Sequence, residues 1–161
     1  MKSSTGTAQR ISRRPALAAA ISIALAVFAT DQAIKWVVES SMRLGESIVL
    51  IPGVLSLTYI HNEGGAFGIL SESPRILMVG SLVAVVVVLW MLLAEAPSRL
   101  TVAACGLILG GAAGNLADRL ATGRVTDYVH FSFWYIFNAA DAAIVLGVSL
   151  LLLSALLSSR G

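Results

Sequence analysis

The sequence predicts a mainly helical, polytopic membrane fold: four transmembrane helices with a small sheet on the outer side. Three observations point there. Hydrophobic residues make up 57% of the 161-residue chain and charged residues only 12%, against about 25% charged in soluble domains. The mean hydropathy is +0.86. Apolar stretches fall at about 16–37, 75–94, 100–118 and 139–157, each close to the roughly 20 residues that cross a 30 Å hydrocarbon core. The short polar intervals between them argue for a single membrane domain over residues 1–161.

Residues 1–15 form a polar tail. Lys2, Arg10, Arg13 and Arg14 stand just before the first apolar run, which by the positive-inside rule holds the N-terminus in the cytoplasm. Four crossings then return the C-terminus to that side, with Arg160 as a snorkelling anchor and Arg99 in a cytoplasmic loop. A cleaved signal peptide is the alternative, because Ala24-Leu25-Ala26 lies in the apolar stretch; the run continues to Val38 and is long enough to span. The net charge of +2 comes mainly from this tail, too narrow a basic surface for nucleic acid.

The first helix closes on TDQAIKW, where Asp31 and Lys35 are i, i+4 neighbours with the acid first, the favourable order for a supporting ion pair at a helix end. In the outer segment 38–74, two β-prone runs flank Pro52-Gly53, which predicts a small sheet turning there. HNEGGAFGIL follows, in which Gly64 and Gly65 permit tight turns and Phe67, Ile69 and Leu70 reach the lipid interface. The segment is placed to shelter the polar residues below it, or is an ordinary interfacial loop.

After the second helix and a short turn at 95–99, the third helix carries the only cysteine, Cys105, deep in its apolar run. A lone cysteine excludes an intramolecular disulfide, and its position suits packing. Gly106, Gly110 and Gly114 recur every four residues, the small-xxx-small pattern of close helix approach. Asn115, Asp118 and Arg119 then share one face, as a site or as a mere ion pair and interfacial anchor. The aromatic-rich segment 119–138 reads as a loop and contains Asp127. The fourth helix opens with FNAADAA, placing Asn138 at the N-cap and Asp141 at N3; capping alone would account for both locally.

On this topology Asp31, Asp118, Asp127 and Asp141, the chain's only aspartates, gather near the outer leaflet boundary. Carboxylates are costly in a bilayer and usually mark a function. A depth near the interface favours surface chemistry over transport, whose sites lie near the midplane. His61 and His130 are too few and too far apart for a metal site, and the chain lacks HExxH and GxSxG. No metal and no cofactor are expected. What remains is a carboxylate pair sharing a proton, one member activating water and the other protonating a carbonyl oxygen. Asp127 on a loop and Asp141 at a helix start are the pair best placed to converge.

At these residues the chain resembles the lipoprotein signal peptidases, the type II signal peptidases of bacteria. The likeness runs through DQxxK at Asp31 to Lys35, NxGxAFG at Asn62 to Gly68, GGAxGNxxDR at Gly110 to Arg119, VxD at Val125 to Asp127 and FNxAD at Phe137 to Asp141. It implies a four-helix intramembrane aspartyl endopeptidase with an extracytoplasmic β-cradle and an interfacial helix, in the bacterial cytoplasmic (inner) membrane, its active site near the extracytoplasmic face. The substrates it implies are diacylglyceryl-prolipoproteins, cut before the lipidated cysteine. Asp127 and Asp141 would be catalytic; Asn62, Asn115, Arg119 and Asn138 would line the substrate groove; Asp31, Lys35, Gly64 and Asp118 would support it. Membrane lipid and globomycin-type inhibitors are the other expected partners, and the enzyme is expected to be a monomer. Departures from the family pattern are Glu63 and Gly65 where Thr and Ala are frequent, Tyr128 for a usual Phe, and Ala142 for a usual Ser. From the residues alone, a small ion channel or exporter and a non-catalytic membrane assembly factor are the competing readings.

Overall fold

The computed structural model describes residues 12–63, 74–94 and 97–159. Gly64, Gly65, Phe67, Ile69, Leu70 and the interfacial helix implied around them lie outside the described residues, as do Lys2, Arg10 and Arg160. The apolar runs fold as α1 (Arg13–Ser41), α2 (Pro74–Ala94), α3 (Arg99–Thr122) and α4 (Ala139–Ser158), with strands β1 (Ser47–Ile51), β2 (Leu55–Asn62) and β3 (Val125–Phe131). Helices α1, α3 and α4 are long and apolar enough to cross a membrane, and the segment Val79–Leu93 of α2 is a shorter apolar helix. Large apolar side chains such as Leu25, Leu82, Val86 and Leu152 point outward, as expected where the surrounding solvent is lipid.

The helices extend beyond their apolar runs. Helix α1 continues to Ser41, ten residues past Asp31, so Asp31 and Lys35 pair within the bundle, not at a helix end. Both are buried. Helix α3 runs to Thr122 and stops at Gly123, whose φ of 79° places it in the left-handed region and whose N–H returns to Arg119 O. That glycine cap turns the chain back toward the bundle, and β3 begins two residues later.

Strand β3 corrects the expectation of a loop at Asp127. Val125, Thr126, Tyr128, Val129 and Phe131 are β-branched or aromatic, the residues that favour strands, and pairing with β2 makes a strand of them. The sheet has the order β1-β2-β3 with both pairings antiparallel. The β1–β2 hairpin turns at the expected place: Val54 N–H bonds Ile51 O at 3.0 Å and Gly53 has φ 71°, the positive value required after proline in a type II turn. In the β2–β3 register Ile60 pairs with Asp127 and Asn62 with Val125. Since side chains alternate in a strand, Asn62 shares a face with Ile60 and thus with Asp127.

Helix α3 is central, packed on α1, α2 and α4. One core cluster comprises Ala16, Ala20, Val88, Leu92, Val102, Cys105 and Ile108. A second, of Val38, Met42, Tyr59 and Tyr128, fastens the sheet to α1. The expected glycine seam is real. A Cβ on Gly106 would lie 2.8 Å from Ala20 O, one on Gly110 2.6 Å from Ala24 O, and one on Gly114 2.5 Å from an Asp31 carboxylate oxygen. The seam therefore brings α1 within reach of α3 where the polar residues begin.

Gly110→Ala must push α1 backbone aside, and we expect a loss of about 1–3 kcal/mol in reversible unfolding from mixed micelles. Gly80→Ala meets nothing within 4 Å and should be neutral or stabilising by up to about 1 kcal/mol, because alanine is the better helix former.

Candidate active site

The first four amides of a helix have no intrahelical acceptor, and those of α4 are satisfied by side chains from three elements. Asn138 N–H donates to Asp141 Oδ2 at 3.3 Å and Asp141 N–H to Asn138 Oδ1 at 2.9 Å, completing a capping box. Ala139 N–H donates to the Tyr128 hydroxyl of β3 at 3.0 Å, and Ala140 N–H to Asp31 Oδ1 of α1 at 3.0 Å. The start of α4 is thus fixed against both β3 and α1. Tyr128, where the resembled family usually has phenylalanine, uses the hydroxyl that phenylalanine lacks.

Asn138 also joins the two acids. Its Nδ2 donates to Asp127 Oδ1 at 2.6 Å, while its backbone holds Asp141. The amide cannot be turned over, since its oxygen faces a backbone N–H and its nitrogen a carboxylate. The other Asp127 oxygen accepts from Asn62 Nδ2 at 2.7 Å, as the strand register requires. Asp141 Oδ1 accepts from Asn115 Nδ2 at 2.7 Å. Asn115 Oδ1 in turn accepts from Asn138 Nδ2 at 3.1 Å, closing a network in which three asparagines hold two aspartates. Asp127 is 1% exposed and Asn138 0%; Asp141 is only partly buried and opens the pair to its surroundings.

Beneath this layer lies a second. Lys35 Nζ contacts Asp31 Oδ2 at 2.7 Å, Asp118 Oδ2 at 2.6 Å and Asn115 Oδ1 at 3.1 Å, which uses all three ammonium donors. The expected Asp31–Lys35 pair is present, but Asp118 pairs with Lys35 and with Gln32 Nε2 at 2.9 Å, not with Arg119. Arg119 Nη1 donates to Asn115 O at 3.4 Å, and most of its guanidinium donors have no acceptor among the described residues.

Asn62, Asn115, Arg119, Asn138, Asp127 and Asp141 therefore converge, with Asp31, Lys35 and Asp118 one layer below. Gly64 is outside the described residues. Sequence reasoning missed Gln32, the phenol of Tyr128 and a bond at 2.5 Å from Thr126 Oγ1 to Glu39 Oε1 that pins β3 to α1. Spacing could have found Glu39: Asp31, Lys35 and Glu39 recur every four residues and so share one helical face.

Burial, helped by the nearby Asp141, pushes the Asp127 carboxyl up to about 7 against the bonds from Asn62 and Asn138 and the charge of Lys35. Burial also pushes the Tyr128 phenol up to about 12, so it stays protonated as a cap. Two carboxyls bound by neutral amides, one of them titrating near neutrality, can hold a single proton between them and act as an acid and a base.

Residues 23–157 match the family described as Signal peptidase (SPase) II. The lipoprotein signal peptidase of Symbiobacterium thermophilum is 42% identical over 148 residues, covering 87% of this chain and 97% of that protein. That of Shouchella clausii is 43% identical over 140 residues, 86% of this chain and 93% of the relative. Two solved structures of bacterial membrane enzymes, determined by the in meso method, superpose with TM-scores of 0.81 and 0.78. The first is 30% identical and covers 90% of this chain and 91% of its own; the second is 28% identical and covers 93% and 97%.

The folded state binds the Asp127 proton more tightly than the unfolded state, whose carboxyl titrates near 3.8. Its contribution to stability is therefore complete below about pH 4 and is lost as pH rises through about 7. Thermal midpoints should fall as pH rises from about 5 to about 8, and Asp127→Asn should flatten that slope.

Proposed function

The chain belongs to the signal peptidase II family of aspartic peptidases, and from that premise we propose that Asp127 and Asp141 are the catalytic pair of a multi-pass bacterial membrane protease acting on prolipoproteins. The observation that carries this reading is the bridging of the two carboxylates by Asn138, which donates a side-chain bond to one and a backbone bond to the other.

One carboxylate takes a proton from water as its oxygen attacks the scissile carbonyl, while the other, protonated, donates to the carbonyl oxygen. Collapse of the tetrahedral intermediate breaks the C–N bond and returns a proton to the amine. The apparent titration belongs to the pair. Burial of Asp127 supports its role as the member that carries the proton near neutral pH. The asparagine amides orient both acids without fixing either as an anion.

Arg119 stands beside the pair, where its guanidinium can hold the carbonyls of an extended peptide; Asn62, Asn115 and Asn138 line the groove. A diacylglyceryl-modified substrate is confined to the bilayer and reaches the pair by lateral diffusion. The bond cut is the one before the lipidated cysteine, close to the outer interface. With the N- and C-termini cytoplasmic, the outer ends of α1 and α3, the start of α4 and the sheet share the extracytoplasmic face of the inner membrane. The enzyme works as a monomer, and globomycin-type cyclic peptides occupy the same groove.

Asp127→Asn and Asp141→Asn should each reduce cleavage of a synthetic diacylated precursor by at least about 10²–10⁴-fold, with the protein still inserted and folded. Wild-type turnover by either purified variant would refute the assignment.

A further inference from the structure

We propose that Lys35 is a positioning residue of the aspartate pair, its ammonium locking the orientation of Asn115 and through it the carboxylate of Asp141. This rests on the catalytic reading above.

An asparagine amide is nearly symmetric in shape, and a half-turn exchanges its oxygen and nitrogen. In the orientation present, Asn115 Oδ1 faces Lys35 Nζ at 3.1 Å and Nδ2 faces Asp141 Oδ1 at 2.7 Å. A half-turn would set a donor against the ammonium and an acceptor against the carboxylate. An ammonium has no lone pair to offer, so Lys35, beside the Asn138 Nδ2 donor on the same oxygen at 3.1 Å, makes the wrong orientation unfavourable from one side as Asp141 does from the other. The second hold on Asp141 is through the backbone: Asp31, which bonds Lys35 at 2.7 Å, accepts the N–H of Ala140, the residue just before it. Helix α1 thus reaches both the side chain and the main chain of the helix start. Lys35 is 2% exposed, and a buried ion pair is a poor source of stability because desolvation offsets its attraction. Orientation of a neighbouring amide gives the buried charge a use that packing alone would not need.

The test is steady-state cleavage of a synthetic diacylated precursor by the full chain in detergent, with thermal midpoints measured beside it. Lys35→Met combined with Asp31→Asn removes one charge of each sign, so the cluster keeps its net charge, and the amide oxygen introduced on α1 can still accept the Ala140 N–H. We expect kcat to fall about 10²-fold, the scale of a small misplacement of a reacting group, with KM within about twofold and the midpoint near wild type. Lys35→Gln with Asp31→Asn restores an uncharged donor toward Asn115 and should recover about tenfold of the loss. A Met pair that turns over at the wild-type rate overturns the proposal. So does a Met pair that fails to fold, or a Gln pair no better than the Met pair, because Lys35 would then serve folding or charge balance alone. Absence of cleavage by the wild-type protein would instead defeat the reading of Asp127 and Asp141 as catalytic.

Discussion

A carboxylate withdrawn from water must be given donors or a proton, and the sheet-bearing half of this molecule is arranged around that requirement. Asp127 and Asp141 receive their donors from amides: Asn62 and Asn138 for one, Asn115 and the Asn138 backbone for the other. A lysine in direct contact would hold an acid ionised and deny it the proton that general acid chemistry needs. Lys35 is instead kept one side chain away, with Asn115 between it and Asp141. The amides transmit geometry and attenuate charge, so the pair can be held firmly and still titrate.

That arrangement depends on packing far from it. Gly106 and Gly110 bring the α1 backbone against α3 and Gly114 makes room for the Asp31 carboxylate, and only then can Lys35 span Asp31 of one helix and Asp118 of the other. Gly123 ends α3 and sends the chain into β3, whose register with β2 sets Asn62 beside Asp127. Tyr128 on the same strand and Asp31 on α1 take up the first free amides of α4. The positive end of the α4 dipole adds to the field at Asp141. Each element contributes one contact to a common point, and none of them forms the site alone.

Much of this is legible in the sequence because membrane helices advertise themselves through composition and because caps are local. The apolar runs, the glycine seam, the hairpin at Pro52-Gly53 and the capping box of Asn138 and Asp141 all follow from spacing. The convergence of Asn62 with Asp127 does not, since it depends on a strand pairing across 65 residues. The β character of residues 125–131 is present in their side chains but is masked by the aromatics that follow. Lys35 reads from spacing as a simple partner of Asp31; its link to Asn115 and Asp118 arises only when two helices are brought together. Local propensity reaches the ends of elements, and tertiary packing decides which of them meet.

The central claim is that the two acids share one proton near neutral pH, and infrared titration of the reconstituted protein tests it most directly. A protonated carboxyl band that persists at about pH 6, disappears on titration through about pH 7 and is lost in Asp127→Asn is the result this account predicts. A spectrum in which every carboxyl is already ionised by about pH 5 would contradict it, because neither member of the pair would then hold the proton that the proposed mechanism requires.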